Sequence, residues 1–230
     1  MESIKFMNKM KDIVILGTGG VSIIRLIEEI NDVKPKFNIV GFLEKDEKLI
    51  GSVVKGYPII GNDDLLLTEC KSCGVVNNII ATTKLHRKVS ERLRNFYNIT
   101  DFPNIIHPSV DLKYVNIGEG NIVYNNVLFD SDVTLGDFNI VYPGTGIGHE
   151  TVIGNYNLAA LNTTIGARCV IGNENVFANA SVLSLGLKVG NNNILSVGAV
   201  AIEDIIDNQY LLGNPARNSV KVIVEYKKNK

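Results

Sequence analysis

Cysteine and histidine are scarce in this sequence, with three of each among 230 residues. Three cysteines do not make the disulfide framework of a small secreted protein, which needs several pairs. The spacing Cys70-x-x-Cys73 could form half of a zinc site or a redox pair, but no second such pair exists. We expect two thiols at the end of a helix without a special role. A catalytic zinc ion needs three protein ligands, and so few candidates disfavour a metal site.

The sequence also lacks a charge excess and a long hydrophobic run. Its 23 basic and 24 acidic residues give a net charge of −1, and the basic residues are dispersed. Neither nucleic acid nor an anionic membrane surface is therefore an expected partner. The longest aliphatic runs, such as Ile13 to Leu16, are far too short to span a bilayer. The first residues carry no hydrophobic signal-peptide segment, so we expect a cytoplasmic protein.

A period of six residues dominates the second half of the sequence. Every sixth residue from Ile117 to Ala201 is apolar. Because apolar residues make up 45% of the chain, chance would give such a run with a probability on the order of 10⁻⁵. The series is Ile117, Val123, Phe129, Leu135, Val141, Ile147, Ile153, Ala159, Ile165, Ile171, Phe177, Leu183, Val189, Leu195 and Ala201.

This fixed period predicts a parallel β-helix, because neither an α-helix nor a simple alternating strand can keep a register of six. Each hexapeptide would form a short strand and a turn, with its aliphatic side chain in the core. Three hexapeptides would close one triangular coil, so the series supplies about five coils. Glycine follows the apolar position at seven places, where it would let the corner turn without a clash of Cβ.

The first hundred residues lack this period and alternate between predicted strands and helices. Such alternation predicts a small parallel sheet with helices packed on it. The chain from Asn98 to Pro108 carries two prolines and is the expected linker. The sequence therefore predicts an α/β domain at residues 1–104 and a β-helix domain at residues 105–230. The expected elements are strands at 13–16, 37–43, 57–61, 75–81 and 220–226, and helices at 21–30, 63–70 and 88–97.

The loop Gly17-x-Gly19-Gly20 lies between the first predicted strand and the first predicted helix. Its backbone N–H groups could bind a phosphate at the helix N-terminus. The full dinucleotide pattern needs glycine where this chain has Ser22, which disfavours a nicotinamide dinucleotide. Binding of another nucleotide and a tight turn without a ligand both stay open. Glu44, at the end of the second strand, is placed to accept hydrogen bonds from a ribose or a base.

His149 is the histidine that falls inside the six-residue repeats. It follows Ile147 by two positions, which puts it on a turn, and Glu150 follows it directly. A carboxylate can fix the tautomer of an imidazole and raise its basicity, so the pair is a candidate general base. An exposed histidine on a turn can equally have no role. We expect His107 to be structural, and His86 to face solvent or a ligand of the sheet.

Several segments of the chain recur together in one group of proteins. They are Ile15-Leu-Gly-Thr-Gly-Gly20, Val40-Gly-Phe-Leu-Glu44, Ile106-His-Pro-Ser109, Gly148-His-Glu-Thr-Val-Ile-Gly154 and Gly213-Asn-Pro-Ala-Arg217. With them the chain resembles the bacterial nucleotide-sugar N-acetyltransferases of glycan biosynthesis and the related sialic acid O-acetyltransferases. The resemblance covers nearly the whole chain. It implies a Rossmann-like nucleotide-sugar-binding domain, followed by an all-β, left-handed parallel β-helix of hexapeptide repeats that carries acyl transfer.

The resemblance also implies an activity, which is acetyl transfer from acetyl-coenzyme A to a UDP- or dTDP-linked amino sugar for bacterial surface glycans such as lipopolysaccharide. His149 matches the family's general base, and Glu150 matches the acid that supports it. The active site would lie between adjacent β-helices of a homotrimer, without a metal. The nucleotide sugar would be bound by Gly17, Thr18, Gly19, Gly20, Glu44 and Lys45, and acetyl-coenzyme A by Leu158, Ala167, Asn179, Val197 and Gly198.

The chain departs from the family pattern near the acyl donor. Leu158 stands where many members have a second histidine, and it cannot donate a hydrogen bond to a thioester carbonyl. Tyr142 stands where asparagine is common, and Ala167, Ala178 and Val197 replace glycines of the later coils. Three alternatives to N-acetylation therefore stay open: O-acetylation of a sugar, transfer of a different acyl group, and a trimeric binding module without catalysis.

Overall fold

The computed structural model describes residues 10–219. These residues divide into two compact units, which are described separately below. The first contains residues 10–80 and 89–103, and the second contains residues 81–88 and 104–219. The functional division at residue 104 stays a prediction, and the strand predicted at 220–226 lies outside the described residues.

The first unit is built on a five-stranded sheet. Its elements are β1 (Lys11–Leu16), α1 (Ser22–Val33), β2 (Phe37–Leu43), β3 (Val53–Val54), β4 (Tyr57–Gly61) and β5 (Gly74–Asn77), with 3-10 helices at Glu47–Leu49 and Asp63–Leu67, and α2 (Thr83–Asn95) follows. The strand order is β3–β4–β2–β1–β5, and all pairs are parallel except β3 with β4. The predicted α/β architecture is confirmed.

Burial explains why β1 and α1 form where they do. The last four residues of β1, Ile13 to Leu16, are buried, as expected of a central parallel strand covered on both faces. The buried apolar residues of α1 recur at helical spacing, and the other residues of the helix are polar except for the exposed Val33 at its end. The buried residues are Ile23, Ile24, Leu26, Ile27 and Ile30.

The strand order creates a switch point at β1. The chain passes from β1 to β2 on one side, whereas β5 pairs with β1 on the other side. Ligands of open α/β sheets bind outside the carboxyl ends of the strands at such a point. The glycine loop follows β1, and Asn78 follows β5, so both lie at this edge of the sheet.

Three predicted boundaries in the first hundred residues were inaccurate. The helix expected at 88–97 begins at Thr83, because the Thr82 hydroxyl oxygen accepts the N–H of Leu85 and caps the helix. The helix expected at 63–70 is a 3-10 helix at Asp63–Leu67, and Asn62 caps it by accepting the N–H of Asp64. The strand expected at 75–81 ends at Asn77, whose side chain bonds to Ser90 instead of continuing the sheet pattern.

The second unit is a parallel β-helix, as the six-residue period predicts. Fifteen two-residue strands, β7 to β21 in chain order, each end on one apolar residue of the series. The strands are β6 (Ile105–Ile106), β7 (Asn116–Ile117), β8 (Ile122–Val123), β9 (Leu128–Phe129), β10 (Thr134–Leu135), β11 (Ile140–Val141), β12 (Gly146–Ile147), β13 (Val152–Ile153), β14 (Leu158–Ala159), β15 (Thr164–Ile165), β16 (Val170–Ile171), β17 (Val176–Phe177), β18 (Val182–Leu183), β19 (Lys188–Val189), β20 (Ile194–Leu195), β21 (Val200–Ala201), β22 (Tyr210–Leu212) and β23 (Arg217–Asn218).

Every third strand pairs in parallel, which builds three faces. One face is β7–β10–β13–β16–β19, another is β9–β12–β15–β18–β21, and the third runs from β6 through β8, β11, β14, β17 and β20 to β22. Thr134 pairs with Val152 and Leu135 with Ile153, so one coil takes 18 residues. Within residues 10–219, no helix combines the length and the apolar character that a membrane crossing requires.

The core of the β-helix is the predicted apolar series. All its members are buried except Ile117, which packs against the others at the first coil. The glycines after them are required by the close stacking of coils. A Cβ on Gly154 would lie 2.7 Å from the carbonyl oxygen of Gly172, and Gly136 meets Gly154 in the same way. The predicted reason for these glycines is therefore confirmed, with the neighbouring coil as the obstacle.

A ladder of buried asparagines joins the coils at one corner, and the sequence analysis missed it. Each backbone N–H of Asn139, Asn157, Asn175 and Asn193 donates to the side-chain oxygen of the asparagine one coil earlier, at 2.8–2.9 Å. The Asn157 side chain also donates to the carbonyl of Gly172. Buried polar groups are tolerated when they are hydrogen-bonded. Here each of these side-chain oxygens accepts the backbone N–H of the asparagine in the next coil.

We expect Gly154→Ala to destabilise the β-helix by about 1–3 kcal/mol, because the added methyl group would overlap the Gly172 carbonyl and force the coils apart. Thermal unfolding followed by calorimetry measures the effect. The matched control is Gly146→Ala, since a Cβ there meets nothing within 4 Å. A control that loses as much stability as Gly154→Ala would contradict the stacking explanation.

Candidate functional site

The His149–Glu150 pair lies on a corner of the β-helix, directly after β12. The imidazole Nδ1 of His149 is 2.9 Å from Oε2 of Glu150. The side chains are 40% and 57% exposed, so both reach solvent. When Nδ1 carries the proton and donates it to the carboxylate, Nε2 is left as an acceptor. The pair can therefore take a proton from a bound group at Nε2.

The backbone of this corner is held by the coils on either side. Glu150 has a φ of 58°, and its N–H donates to the carbonyl of Ser131 on the coil before. The carbonyl of His149 accepts the N–H of Arg168 on the coil after it, at 2.8 Å. Thr151 turns inward and donates to the carbonyl of Gly166. The two functional side chains therefore project from a fixed frame.

The other two histidines have different surroundings. His107 bonds through Nδ1 to the hydroxyl and the N–H of Ser109 in the first coil, which agrees with the structural role expected for it. His86 does not face solvent, the first of the two positions expected for it, because the residue is only 2% exposed. It lies edge-on to the stacked rings of Phe138 and Tyr156, at 6.2 and 6.3 Å between ring centroids. The helix start at Thr83, earlier than predicted, accounts for this position.

The five residues expected to bind the acyl donor occupy three places on the β-helix. Ala167 lies on the same corner as His149, one coil later. Asn179, Val197 and Gly198 lie on a different corner, where the N–H of Gly198 donates to the carbonyl of Asn179. Leu158 lies in β14, on the face that leads to that second corner. A single chain therefore does not bring all five together with His149.

Tyr142, which departs from the family pattern, forms part of an aromatic pair. Its ring stacks on that of Tyr124 with a centroid distance of 5.0 Å and an angle of 7°. Burial, and to a smaller extent the neighbouring Tyr124, raises the pKa of Tyr142 to about 12. Its phenol therefore stays protonated across the physiological range, and it is not a candidate base.

The glycine loop of the first unit is shaped by Asn78. The Asn78 side chain donates to the carbonyls of Gly17 at 3.3 Å and Gly20 at 3.0 Å. Gly17 has a φ of 89°, and a Cβ there would lie 2.7 Å from the Ile79 side chain, so only glycine fits. A Cβ on Gly19, by contrast, would meet nothing within 4 Å. The loop is thus fixed at both ends and open in the middle.

Glu44 fastens this loop to the end of β2. Its Oε2 accepts from the Thr18 hydroxyl at 2.9 Å and from the Thr18 N–H at 3.3 Å, while Oε1 accepts the N–H of Lys45 at 2.8 Å. Burial opposes ionisation of Glu44, but the hydrogen bonds from Thr18 and from the backbone of Lys45 and Asp46 outweigh it and lower the pKa of Glu44. The structure thus brings Gly17, Thr18, Glu44 and Lys45 together.

Two residues near these candidate sites escaped the sequence analysis. Asn78 shapes the glycine loop although it is 61 residues from Gly17. Its signal was an asparagine pair, Asn77 and Asn78, directly after a buried strand. Arg168 lies beside Glu150, with Nη1 4.0 Å from Oε2. Its signal was a separation of 18 residues from Glu150, which is one coil of the predicted β-helix.

Cys70 and Cys73 are buried, and burial, reinforced by Cys73, raises the pKa of the Cys70 thiol to about 11. Burial also raises the pKa of Cys73. Both thiols are therefore unreactive at neutral pH, since the thiolate is the reactive form. Within the described part of the chain, no three histidine, cysteine or acidic side chains lie close enough together to hold a metal ion.

Comparison with solved structures reveals relatives of this fold. PerB of Caulobacter crescentus, solved with coenzyme A and GDP-perosamine, superimposes with a TM-score of 0.80 at 22% identity, over 92% of this chain and 98% of that one. The acetyltransferase domain of PglB from Neisseria gonorrhoeae, solved with acetyl-coenzyme A, gives 0.78 at 22% identity, over 91% of this chain and 100% of that one. WeeI of Acinetobacter baumannii gives 0.59 at 18% identity, over 91% of this chain and 100% of that one.

This chain shares their fold. The β-helix is accordingly the left-handed hexapeptide-repeat type, as expected from the resemblance. The Caulobacter enzyme, a GDP-perosamine N-acetyltransferase, has also been solved with one histidine replaced by asparagine or by alanine. No model of a protein family and no curated protein matches the sequence.

We expect Glu44→Gln to lower the free energy of unfolding by about 1 kcal/mol at pH 7, because Thr18 and Lys45 lose their charged acceptor. The effect is no larger because the carboxylate is partly exposed to solvent. The pKa of Glu44 is lowered by folding, so its ionised form stabilises the protein above the usual value of 4.5. The difference between variant and wild type should therefore shrink as the pH falls below that value.

Urea unfolding at several pH values measures this difference. Glu47→Gln is the matched control, because Glu47 is an exposed carboxylate at the start of the 3-10 helix that follows β2. A loss in Glu44→Gln that is equal at neutral and acidic pH would show that the carboxylate charge does not stabilise the loop.

Proposed function

We propose that this protein transfers the acetyl group of acetyl-coenzyme A to the amine of a nucleotide-linked amino sugar. The observation that carries the proposal is the His149–Glu150 pair, exposed on a corner of a β-helix that follows an α/β unit. The fold is shared over 92% of the chain with an enzyme that holds coenzyme A and GDP-perosamine. A histidine was also chosen for replacement in that enzyme.

In this proposal the α/β unit binds the nucleotide. Gly19 and Gly20 offer backbone N–H groups before α1, where phosphates are attracted by the helix N-terminus. Gly17 and Thr18 shape the loop, because their N–H groups donate to the Leu43 carbonyl and to Glu44. Glu44 and Lys45 border the loop. Since the Glu44 carboxylate already accepts bonds from Thr18 and Lys45, its first role is to shape the loop. The family resemblance implies UDP or dTDP, whereas the Caulobacter enzyme holds a GDP-sugar, so all three nucleotides belong in the test.

His149 acts as general base in the proposed reaction. Its Nε2 takes a proton from the sugar amine as the nitrogen attacks the thioester carbonyl carbon. A C–N bond forms, the C–S bond breaks, and the sulfur of coenzyme A receives a proton and leaves as the thiol. Glu150 holds the imidazole through Nδ1 and balances the charge on the protonated ring. Backbone N–H donors can stabilise the tetrahedral oxyanion, and binding both substrates in one cleft supplies the correct orientation.

The acyl donor is proposed to lie against Leu158, Ala167, Asn179, Val197 and Gly198. These residues occupy different places on one β-helix, so the proposal needs the coils of a second copy beside His149. A homotrimer with active sites between subunits meets that need. Large aliphatic side chains are exposed on the described part of the β-helix, including Leu128, Leu185 and Val197, which is 69% exposed. The free thiols Cys70, Cys73 and Cys169 agree with the cytoplasm, where we place the reaction.

Thiol release from acetyl-coenzyme A tests the proposed reaction. The panel holds UDP-, dTDP- and GDP-linked amino sugars, with the matching hydroxy sugars to detect O-acetylation and with longer acyl donors. We expect release with an amino sugar, and a loss of about 10²–10⁴-fold in kcat for His149→Ala.

His107→Asn is the matched control for this assay, because its imidazole bonds within the first coil. It should keep the activity of the wild type. If thiol is released only with hydroxy sugars, the activity is O-acetylation and the proposed N-acetylation is wrong. No release with any donor, from a folded protein, would favour a binding module and refute the proposed enzyme.

The proposed assembly has its own test. Light scattering after size-exclusion chromatography should give about three times the chain mass of 25.2 kDa, because the exposed aliphatic residues would be covered in a trimer. Leu128→Asp should lower the mass or the stability of the assembly, whereas Lys113→Asp, an exposed polar position, should not. A monomeric wild type would contradict the trimer and the shared site.

A further inference from the structure

Arg168 lies one coil above the His149–Glu150 pair, on the same corner of the β-helix. Its N–H donates to the His149 carbonyl, which fixes the two residues as neighbours. Its guanidinium approaches the same Glu150 oxygen, Oε2, that bonds to His149. A group bound at the imidazole would therefore lie near this positive charge.

The Arg168 guanidinium has N–H donors that its contact with Glu150 does not use. Its contact with Glu150 is 4.0 Å, which is the outer limit of an ion pair and beyond hydrogen-bond distance. The side chain is 56% exposed. A guanidinium presents five N–H donors in a planar fork that matches the oxygens of a phosphate or a carboxylate. The geometry leaves that fork available to a ligand.

Space is open on the side of Arg168 away from His149. The next residue in its column is Gly186, which has a φ of 73° and no side chain, and a Cβ there would meet nothing within 4 Å. Ala167, beside Arg168, is also small. The coil above therefore places no side chain directly over Arg168, although Leu185, one coil above Ala167, is exposed beside that space. The coil below carries the Glu150 carboxylate, and Asp130 and Asp132 lie one coil further down, where they would repel an anion.

We propose that Arg168 binds an anionic oxygen group, a phosphate or a carboxylate, of the substrate that reaches His149. The group enters from the Gly186 side, and the guanidinium holds it by charge-assisted hydrogen bonds while Glu150 keeps its bond to the imidazole. This inference rests on the proposed function for the identity of the substrate, since both coenzyme A and a nucleotide sugar carry phosphates. The binding site itself does not depend on turnover.

Binding measurements on Arg168→Gln test the inference. The probes are coenzyme A for the acyl donor, UDP and GDP for the acceptor, and inorganic pyrophosphate for the bare anion site. We expect Arg168→Gln to weaken the binding of pyrophosphate and of one substrate probe, the latter by roughly tenfold. The probe that is weakened identifies which substrate carries the anion. Arg168→Lys should recover part of the affinity, since it keeps the charge and loses the planar fork.

Arg25→Gln is the matched control, because Arg25 is an exposed arginine paired with a single carboxylate, Glu29, on α1. It should bind every probe as the wild type does, and both variants should melt at the wild-type temperature. If the Arg168→Gln variant binds all probes within twofold of the wild type, the inference about Arg168 is overturned, whereas the proposed function is not affected. A wild type that binds pyrophosphate through Arg168, but neither coenzyme A nor a nucleotide, would overturn the proposed function and leave the anion site standing.

Discussion

Stacking of coils 18 residues apart is the constraint on which the second unit depends. Each coil donates backbone hydrogen bonds to its neighbours, and Gly154 and its equivalents allow the backbones to approach closely. The buried asparagines add a second set of bonds at one corner. Because no coil can bury its own apolar face, the stack is stable only as a whole. The backbone position of every corner residue is therefore fixed by hydrogen bonds to the coils above and below.

That fixed frame explains how a site can be built from exposed residues. His149, Glu150 and Arg168 all project outward, so none of them is needed to fill the core. Their positions follow from bonds between coils, in particular the bond from the Arg168 N–H to the His149 carbonyl. The three corners carry different residues: asparagines at one, the candidate base at another, and the stacked Tyr124 and Tyr142 at the third. Chemistry can vary from corner to corner while the core repeats.

In the first unit, the candidate binding loop is held in position by side chains, whereas in the β-helix the repeating coils hold the site residues. Glu44 and Asn78 hold the glycine loop from two sides, and they do so with groups that a ligand could otherwise have used. Their hydrogen bonds shape the loop before any ligand arrives, which limits the ordering that binding would cost. The open space at Gly19 then lies on a fixed loop at the switch point of the sheet.

The sequence by itself determined the β-helix, its core residues and its coil number, because burial of one apolar residue in six leaves a periodic signal. It also located the glycine loop and the His149–Glu150 pair, since each is contiguous in the chain. Only the tertiary structure decided the burial of His86 against Phe138 and Tyr156, the role of Asn78, and the approach of Arg168 to Glu150. These contacts join residues 18 to 70 positions apart, and their side chains follow no local period. Hydrophobic burial produces a regular spacing of apolar residues that can be detected in the sequence. A polar contact between distant segments produces no such spacing and forms only when the chain folds.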